Sequence, residues 1–296
     1  MNFAARSKFN FAPTRKEKPL DEARAAAGQS LHYGGCASCV KKTVMKPAAA
    51  RLRELLSADG CASLPGCHDA MGAKLIEVTA QQSLPTFTCT SPSTSPRVLT
   101  REQKQEAGFH AAYLSGFALS ASRLAEPDIG LTTFSEVVEA ARACCDAVTL
   151  PVVGDGDTGF GGALNVRRTI HGFARAGLAG ISIEDQTYPK RCSYAVGVQC
   201  VSRQEAIERV RAALKARDEL CASEGRDLVV IARTDAARAG AATREEAVEE
   251  AIARCVAFEA LGADVVYAEG LESESEMLAL NAAVSARASS RRRMMQ

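Results

Sequence analysis

The chain has 296 residues, 47% of them hydrophobic, so it can bury a substantial core in one large α/β domain or in two ordinary ones. Its 36 basic and 35 acidic residues give a formal net charge of +1, which excludes bulk electrostatic attraction to nucleic acid or to anionic membranes. No apolar run approaches the roughly 20 residues that cross a bilayer, and no secretory signal opens the chain. We therefore expect a soluble, intracellular protein.

The N-terminal residues, 1 to 50, show no sustained hydrophobic period and are predicted to lie outside the fold. The first twenty carry five basic residues against one acid, Glu17. This bias indicates either an organelle transit peptide or a disordered basic arm. The first alternative places the protein in mitochondria or plastids, and the second places it in the cytoplasm.

The cysteines favour free thiols. Their number is odd, eleven, and a chain without a secretory signal is not expected to carry a disulfide framework. Cys36 and Cys39 form a CxxC pair, which is either half of a zinc site or a loop with two thiols. Because no second pair follows at ligand spacing, the sequence favours the loop.

From Arg51 onward, short apolar runs alternate with segments of helical periodicity. Strands are predicted at 62–65, 111–115, 152–154, 180–183, 228–232 and 265–268. Repeated strand and helix units imply parallel strands, either in an open doubly wound sheet or in a closed barrel. No GxGxxG motif opens an early helix, and charged residues follow several different strands, which favours a barrel.

Helix starts and interruptions complete this outline. Capping-box pairs, a hydroxyl residue three positions before a glutamate, occur at Thr133 with Glu136, Ser202 with Glu205 and Thr243 with Glu246. The helix after Thr243 is predicted to end at Gly262. Another begins at His68 and is followed at 78–105 by a Ser/Thr/Pro-rich run, which predicts an inserted loop. Residues 281–296 predict a basic tail.

The sharpest chemical signal is the run GDGDTGFGG, which carries Asp155 and Asp157 directly after an apolar strand. Two carboxylates one residue apart at a strand end suit a hard cation such as Mg²⁺. An EF-hand calcium loop is excluded, because Gly159 and Val166 fall where oxygen ligands are required. A glycine-rich surface turn is the alternative, and the position after a buried strand favours the metal.

Acids and a base also follow other strands. Glu184 and Asp185 end the strand at 180–183, and one of them could reach the same ion directly or through water, the alternative being a capping or loop acid. Arg233 leaves the next strand with a planar guanidinium that suits carboxylate or phosphate. Glu269 leaves the last predicted strand.

A cysteine loop follows Asp185. Cys192 stands directly behind Lys190 and Arg191, and adjacent positive charge favours the thiolate form. Of the eleven cysteines, Cys192 is therefore the one best placed to transfer a proton, although a single cysteine is more often an ordinary packing residue.

Seven ordered motifs resemble the isocitrate lyase and phosphoenolpyruvate mutase superfamily, especially its methylisocitrate lyase and carboxyphosphonoenolpyruvate mutase members. They are LPGCHDAMGAKL, YLSGFALSASRL, PDIGLTTFSEVV, PVVGDGDTGFGG, GISIEDQTYPKRC, ARTDA and YAEG. The resemblance covers about residues 51–77 and 106–280. It implies an α/β protein of the TIM-type (β/α)8 barrel family, here with about six strands. Members of this family are usually homotetrameric and act on a small carboxylate substrate with Mg²⁺, or with Mn²⁺ as the alternative ion.

The resemblance also implies residue roles. Asp155 matches the direct metal ligand, and the ligands acting largely through water match Asp128, Asp157 and Glu184. The motif that binds the substrate carboxylate matches Tyr113, Ser115, Gly116 and Phe117. Arg233 matches the substrate-binding arginine, Glu269 matches an acid near the metal-bound end, and Cys192 matches the catalytic thiol of the lyases. We predict Cys192, Arg233 and Glu184 as the catalytic residues.

Two departures from the family pattern keep alternatives open. Family lyases have Gly-His after the catalytic cysteine, where this chain has Ser193 and Tyr194. Three functions therefore remain: a C–C lyase, a phosphonate-forming mutase or oxaloacetate hydrolase on the same scaffold, and a catalytically silent binding protein. Family members also continue past YAEG through two more strands, so a six-stranded piece is predicted to expose two sheet edges and to be poorly soluble or to need a partner.

Overall fold

The computed structural model describes residues 46–58, 62–81 and 109–285. The predicted N-terminal arm up to residue 45, the CxxC pair, most of the predicted insertion and the tail after residue 285 lie outside these ranges. Within them, no helix is both long and apolar enough to cross a membrane.

The described residues form one parallel sheet with helices between its strands. The strands are β1 Gly66–Cys67, β2 Ala112–Leu114, β3 Val152–Asp155, β4 Gly180–Ile183, β5 Val229–Thr234 and β6 Val265–Ala268. The helices are α1 Ala48–Ser57, α2 Ala70–Gln81, α3 Gly116–Leu124, α4 Phe134–Ala147, α5 Ala163–Ala176, α6 Arg203–Glu224, α7 Arg244–Leu261 and α8 Glu274–Ser285.

Each strand pairs in parallel with the next strand along the chain, in the order β1 to β6. A doubly wound sheet reverses its order at a switch point, whereas the wall of a (β/α)8 barrel does not. The strand order is therefore that of a barrel wall with six strands, which confirms the predicted fold class.

Several predicted boundaries are wrong by a few residues. The first strand is β1 and not 62–65, because Pro65 has no N–H and contributes only its carbonyl, which accepts from Tyr113 N at 2.9 Å. Helix α2 begins after Asp69, whose carboxylate accepts from Gly72 N at 2.7 Å, and not at His68. This helix includes residues 78–81, which were predicted to be loop.

Both predicted ends of the folded region also shift. Helix α1 begins at Ala48, and Ala49 is buried, so residues 48–50 belong to the fold. Residues 281–285, predicted as the start of the tail, are the last turn of α8, where Val284 is buried. In each case a buried apolar side chain holds the segment against the rest of the domain.

The predicted helix caps are present. Thr133 and Glu136 form a complete capping box, with Glu136 Oε2 accepting from Thr133 N at 2.8 Å. Ser202 and Thr243 each accept from the backbone N–H three residues later at 3.2 Å. Helix α7 ends at Gly262, whose φ of 102° suits glycine.

Side chains alternate between the two faces of the sheet, and each face has a different cover. Val152, Ile181 and Val230 point outward into the core formed with the helices that connect the strands. Their neighbours Val153 and Val229 point inward and pack against Leu52 of α1. Helix α1 therefore covers the inner face of the sheet.

An ion-pair network holds α1 at one end of the sheet. Arg53 Nε donates to Asp227 Oδ2 at 2.8 Å, and Arg53 NH1 donates to Asp264 Oδ1 at 2.6 Å. Asp264 Oδ2 also accepts from Arg217 NH1 and from Val230 N, each at 2.9 Å. Since Asp227 and Asp264 immediately precede β5 and β6, α1 lies at the N-terminal ends of the strands and leaves their C-terminal ends open.

We expect Leu52→Ala to destabilise the fold by about 2 to 5 kcal/mol, because it leaves a cavity where a side chain with 1% exposure fills the inner face. Urea denaturation measures the change in the free energy of unfolding. The matched control is Leu164→Ala at an 83% exposed position of α5, expected to change stability by no more than about 0.5 kcal/mol. Equal effects of the two substitutions would show that α1 does not close the inner face.

Candidate active site

Polar side chains occupy the inner face at the C-terminal ends of the strands, opposite to α1. Strand pairing places Asp155 beside Ser182 and Arg233 beside Tyr267. Each of these lies two residues after an inward apolar or glycine position of its strand, so the period of two turns it to the same side. The same alternation separates an apolar layer near α1 from a polar layer at the open end.

A cavity of about 580 Å³ lies at this end. Of the predicted site residues, its lining includes Tyr113, Ser115, Phe117, Asp128, Asp155, Cys192, Arg233 and Glu269. The remaining three, Gly116, Asp157 and Glu184, are buried and do not line the cavity. The structure thus brings residues from five strand ends and the cysteine loop into one site, while their roles stay predictions.

Lys190 holds two of the predicted metal ligands together. Its Nζ lies 2.5 Å from Asp128 Oδ1 and 2.8 Å from Asp157 Oδ1, and its side chain is almost fully buried. Burial alone would lower the pKa of Lys190. The carboxylates of Asp157 and Asp155 raise this pKa by more than burial lowers it, so the amine stays charged. Burial also raises the pKa of Asp157 to about 7, against the opposing effect of Lys190.

Asp155 sits against the N-terminus of α3. Its Oδ2 accepts from Gly116 N at 3.2 Å and its Oδ1 accepts from Asp157 N at 3.3 Å. A Cβ at position 116 would lie 3.1 Å from Asp155 Oδ2, so glycine permits this approach. The helix N-terminus favours a negative charge there. Gly116 thus supplies a backbone donor to the predicted metal ligand, and its role in binding substrate stays a prediction.

Arg233 is held by three acids. Its Nε donates to Asp235 Oδ1 at 2.7 Å and its NH2 donates to Asp235 Oδ2 at 3.1 Å. Glu184 Oε2 and Glu269 Oε2 each lie 3.5 Å from the guanidinium. Burial would lower the pKa of Arg233, but Glu184 and Asp235 outweigh it and raise the pKa above its usual value. Burial raises the pKa of Glu184 well above its ordinary range despite Arg233.

Asp185, the other acid after β4, does not face the cavity. Its carboxylate accepts from Thr234 Oγ1 at 2.6 Å, Asp235 N at 2.9 Å and Arg254 NH1 at 2.8 Å. These bonds join the end of β4 to the end of β5 and to α7. Glu184 and Asp185 were each predicted to be either a metal ligand or a capping or loop acid. For Asp185 the structure favours the second, a structural role.

The acidic residues fit a divalent ion held mainly through water. In the described ranges, no three acidic, histidine or cysteine side chains are grouped closely enough to bind an ion directly. However, Glu184 Oε1 is buried without a hydrogen-bond partner, and Asp128 Oδ1 and Asp157 Oδ1 are buried against the Lys190 ammonium. Lys190 already places a positive charge beside two of these oxygens. Buried carboxylate oxygens with a single ammonium group beside them suit a hydrated hard cation such as Mg²⁺.

The cysteine loop covers one side of the cavity. Cys192 is partly exposed and lines the cavity beside Arg191, Ser193 and Tyr194. Arg238 stacks on the Tyr194 ring, with its Cζ 5.1 Å from the ring centroid. The residues that replace the family's Gly-His thus belong to the lining.

Sequence reasoning missed three residues of the site. Lys190 was used only as a neighbour of Cys192, and Gln186 and Asp235 stand inside quoted motifs without an assigned role. The sequence feature that could have identified them is that each stands within two residues of a predicted site residue. What makes them part of the site is long-range contact, such as that of Lys190 with Asp128, and such contacts are not visible as spacing.

Comparisons with known proteins agree with this geometry. The family model for phosphoenolpyruvate phosphomutase matches residues 52–291. The chain is 36% identical over 233 residues to 2,3-dimethylmalate lyase of Eubacterium barkeri, covering 79% of this chain and 67% of that protein. Several further relatives are named 2-methylisocitrate lyase.

Solved structures give the same result. A structure of oxaloacetate acetylhydrolase in complex with 3,3-difluorooxalacetate superposes with a TM-score of 0.64 at 32% identity, covering 80% of this chain and 68% of that one. Phosphonopyruvate hydrolase in complex with oxalate and Mg²⁺ gives a TM-score of 0.59 at 29% identity, covering 79% and 68%. The chain thus spans about two thirds of the length of these proteins. It belongs to the phosphoenolpyruvate mutase and isocitrate lyase superfamily.

Proposed function

We propose that this protein is a divalent-metal-dependent carbon–carbon lyase. Its substrate is a 2-hydroxy di- or tricarboxylate of the 2,3-dimethylmalate or 2-methylisocitrate kind, and it releases pyruvate, or glyoxylate from the unmethylated substrate. The observation that carries the proposal is that Cys192, Arg233 and Asp155 line one cavity. A proton donor, a carboxylate-binding group and a metal-binding carboxylate thus face the same space. The relatives named as lyases support the same reaction class.

The charge balance of the site supports the metal. Two cations, Lys190 and Arg233, stand among six carboxyl groups, those of Asp128, Asp155, Asp157, Glu184, Asp235 and Glu269. A substrate with two or three carboxylates would be repelled by such a site. A divalent ion, Mg²⁺ or Mn²⁺, supplies the missing positive charge and, when bound, polarises the C–O group of the substrate. Asp155 would bind it directly and Asp128, Asp157 and Glu184 through water.

Arg233 binds and orients the substrate in this proposal. Asp235 holds its guanidinium from behind with two hydrogen bonds, so the group is ordered before a carboxylate arrives. Arg191 adds a third cation to the lining, beside Arg233 and Lys190, and its guanidinium donates to Val196 O at 3.1 Å. In the described part of the chain it forms no ion pair with a carboxylate, which leaves its charge for a second substrate carboxylate.

Cys192 completes the reaction as general acid. When the C–C bond breaks, the 2-hydroxyl becomes a carbonyl and its proton passes to a carboxylate that lines the cavity. The electron pair of the broken bond stays on the released fragment, which needs a proton at that carbon. The Cys192 thiol lines the cavity and supplies this proton.

Oxaloacetate hydrolysis is the second candidate. Ser193 and Tyr194 line the cavity where family lyases carry Gly-His, and the fold resembles oxaloacetate acetylhydrolase. A panel of 2,3-dimethylmalate, 2-methylisocitrate, isocitrate and oxaloacetate, each with and without Mg²⁺, separates the two reactions by their products. The homotetramer implied by the resemblance stays a prediction that sedimentation can test.

We expect Cys192→Ser to lower kcat for C–C cleavage by about 10²-fold or more with little change in KM, because the hydroxyl is a poorer acid while the binding groups remain. Pyruvate release from 2,3-dimethylmalate measures the rate. Cys221→Ser, at an exposed cysteine of α6, is the matched control and should retain full activity. Full activity of the Cys192 variant would remove the thiol from its assigned role.

We expect Lys190→Met to bind Mg²⁺ more tightly than the wild type by about tenfold or more, because the ammonium group repels a second cation in the same acidic cluster. Isothermal titration without substrate measures the Kd. The matched control is Lys215→Met at an exposed position of α6, which should leave the Kd unchanged. A weaker or unchanged affinity in the Lys190 variant would show that the ammonium does not compete with the ion.

A further inference from the structure

The loop that carries Cys192 leaves and rejoins the fold at a single point. Gln186 and Cys200 form an isolated antiparallel bridge, and Thr187 N donates to Gln199 O at 2.8 Å. The segment between them extends outward, with Tyr194 73% and Val196 91% exposed. Lys190 ties this loop to Asp128 and Asp157 as well, so the position of Cys192, two residues further on, depends on what holds Arg191 between them.

The Gln186 side chain makes that contact. It is 1% exposed and reaches from the neck of the loop to the residue before Cys192. Its Oε1 accepts from Arg191 N at 2.9 Å, and its Nε2 donates to Arg191 O at 2.9 Å. One amide thus satisfies both backbone polar groups of Arg191, as a neighbouring strand would.

The same amide touches the partner of the substrate-binding arginine. Gln186 Nε2 also donates to Asp235 Oδ2 at 2.5 Å, and Asp235 holds Arg233 with both of its oxygens. The opposite amide orientation would place an oxygen against the Asp235 carboxylate, so the orientation is determined by its partners. Both amide hydrogens and the amide oxygen are therefore used.

We propose that Gln186 is a positioning residue that holds Cys192 in a fixed relation to the Arg233 guanidinium. One buried amide holds the backbone of Arg191, next to the thiol. The same amide also holds Asp235, which in turn holds the guanidinium proposed to bind the substrate carboxylate. The role of this contact in catalysis rests on the proposed lyase function, whereas its role in holding the loop does not. Only a side chain that both accepts and donates can bind Arg191 N, Arg191 O and Asp235 together, which is why an amide is required at this position.

Two substitutions test the proposal. Gln186→Met keeps the length of the side chain and removes all three hydrogen bonds. Gln186→Glu keeps the acceptor for Arg191 N but removes both donors and sets a carboxylate against Asp235. The matched control is Gln204→Met on α6, where the amide donates only to Glu208 at the surface. Thermal unfolding monitored by circular dichroism checks that each variant is folded, and Gln186→Glu serves if the Met variant is not.

Two readouts distinguish positioning from a general structural effect. For turnover, we expect kcat to fall on the order of 10²-fold with KM nearly unchanged, because the thiol is displaced while Arg233 keeps its bonds to Asp235. For loop placement, we expect iodoacetamide to modify Cys192 several times faster than in the wild type. Mass spectrometry follows this peptide, with exposed Cys221 as the internal reference.

The outcomes separate the two proposals. Wild-type kcat together with a wild-type alkylation rate in the Gln186 variants would overturn the positioning role and leave the lyase function intact. If the wild type cleaves no substrate in the panel but Cys192 still reacts faster in the Gln186 variants than in Gln204→Met, Gln186 does hold the loop and the lyase proposal fails alone. A fall in kcat that Gln204→Met reproduces would also count against a specific role for Gln186.

Discussion

Charge neutralisation is the constraint on which this site depends. A buried carboxylate is stable only when it is paired, protonated or bound to a metal. The ends of five parallel strands and their loops deliver acids to one point, and Lys190 and Arg233 form ion pairs with them there. The raised pKa of Asp157 and of Glu184, both caused mainly by burial, shows that this pairing is incomplete. In the proposed function, a further cation, and through it an anionic substrate, completes this neutralisation.

The two ends of the sheet carry different kinds of side chain on the inner face. At the N-terminal ends of the strands, Leu52 fills the inner face and Arg53 binds Asp227 and Asp264. At the C-terminal ends, the inner face carries Asp155 and Arg233 instead of apolar side chains. A strand can serve both purposes because its side chains alternate and its two ends meet different surroundings. The apolar and ion-pair contacts of α1 thus lie at the end opposite to the proposed site.

The loop between β4 and α6 adds the components that strand ends cannot supply. Lys190 reaches back to the acids, Cys192 faces the cavity, and Gln186 ties the intervening backbone to Asp235. The contacts of Gln186 and Lys190 and the proposed role of Cys192 therefore all depend on the segment 186–192. The change from Gly-His to Ser193 and Tyr194 in this segment is where substrate choice would differ from that of family lyases.

The sequence by itself determined the barrel-type order of strands and helices, the capped starts of α4, α6 and α7, and the strand ends at which acids would gather, because periodicity, caps and glycine positions are local properties. It also pointed to Asp155, Cys192 and Arg233 as neighbours, although only through motifs. The tertiary structure alone decided that Lys190 sits between Asp128 and Asp157, that Asp185 is structural, and that Gln186 joins the cysteine loop to Asp235. Such contacts join residues far apart in the chain or turn adjacent residues in different directions, and they are set by strand register and burial, which the spacing of residues does not encode.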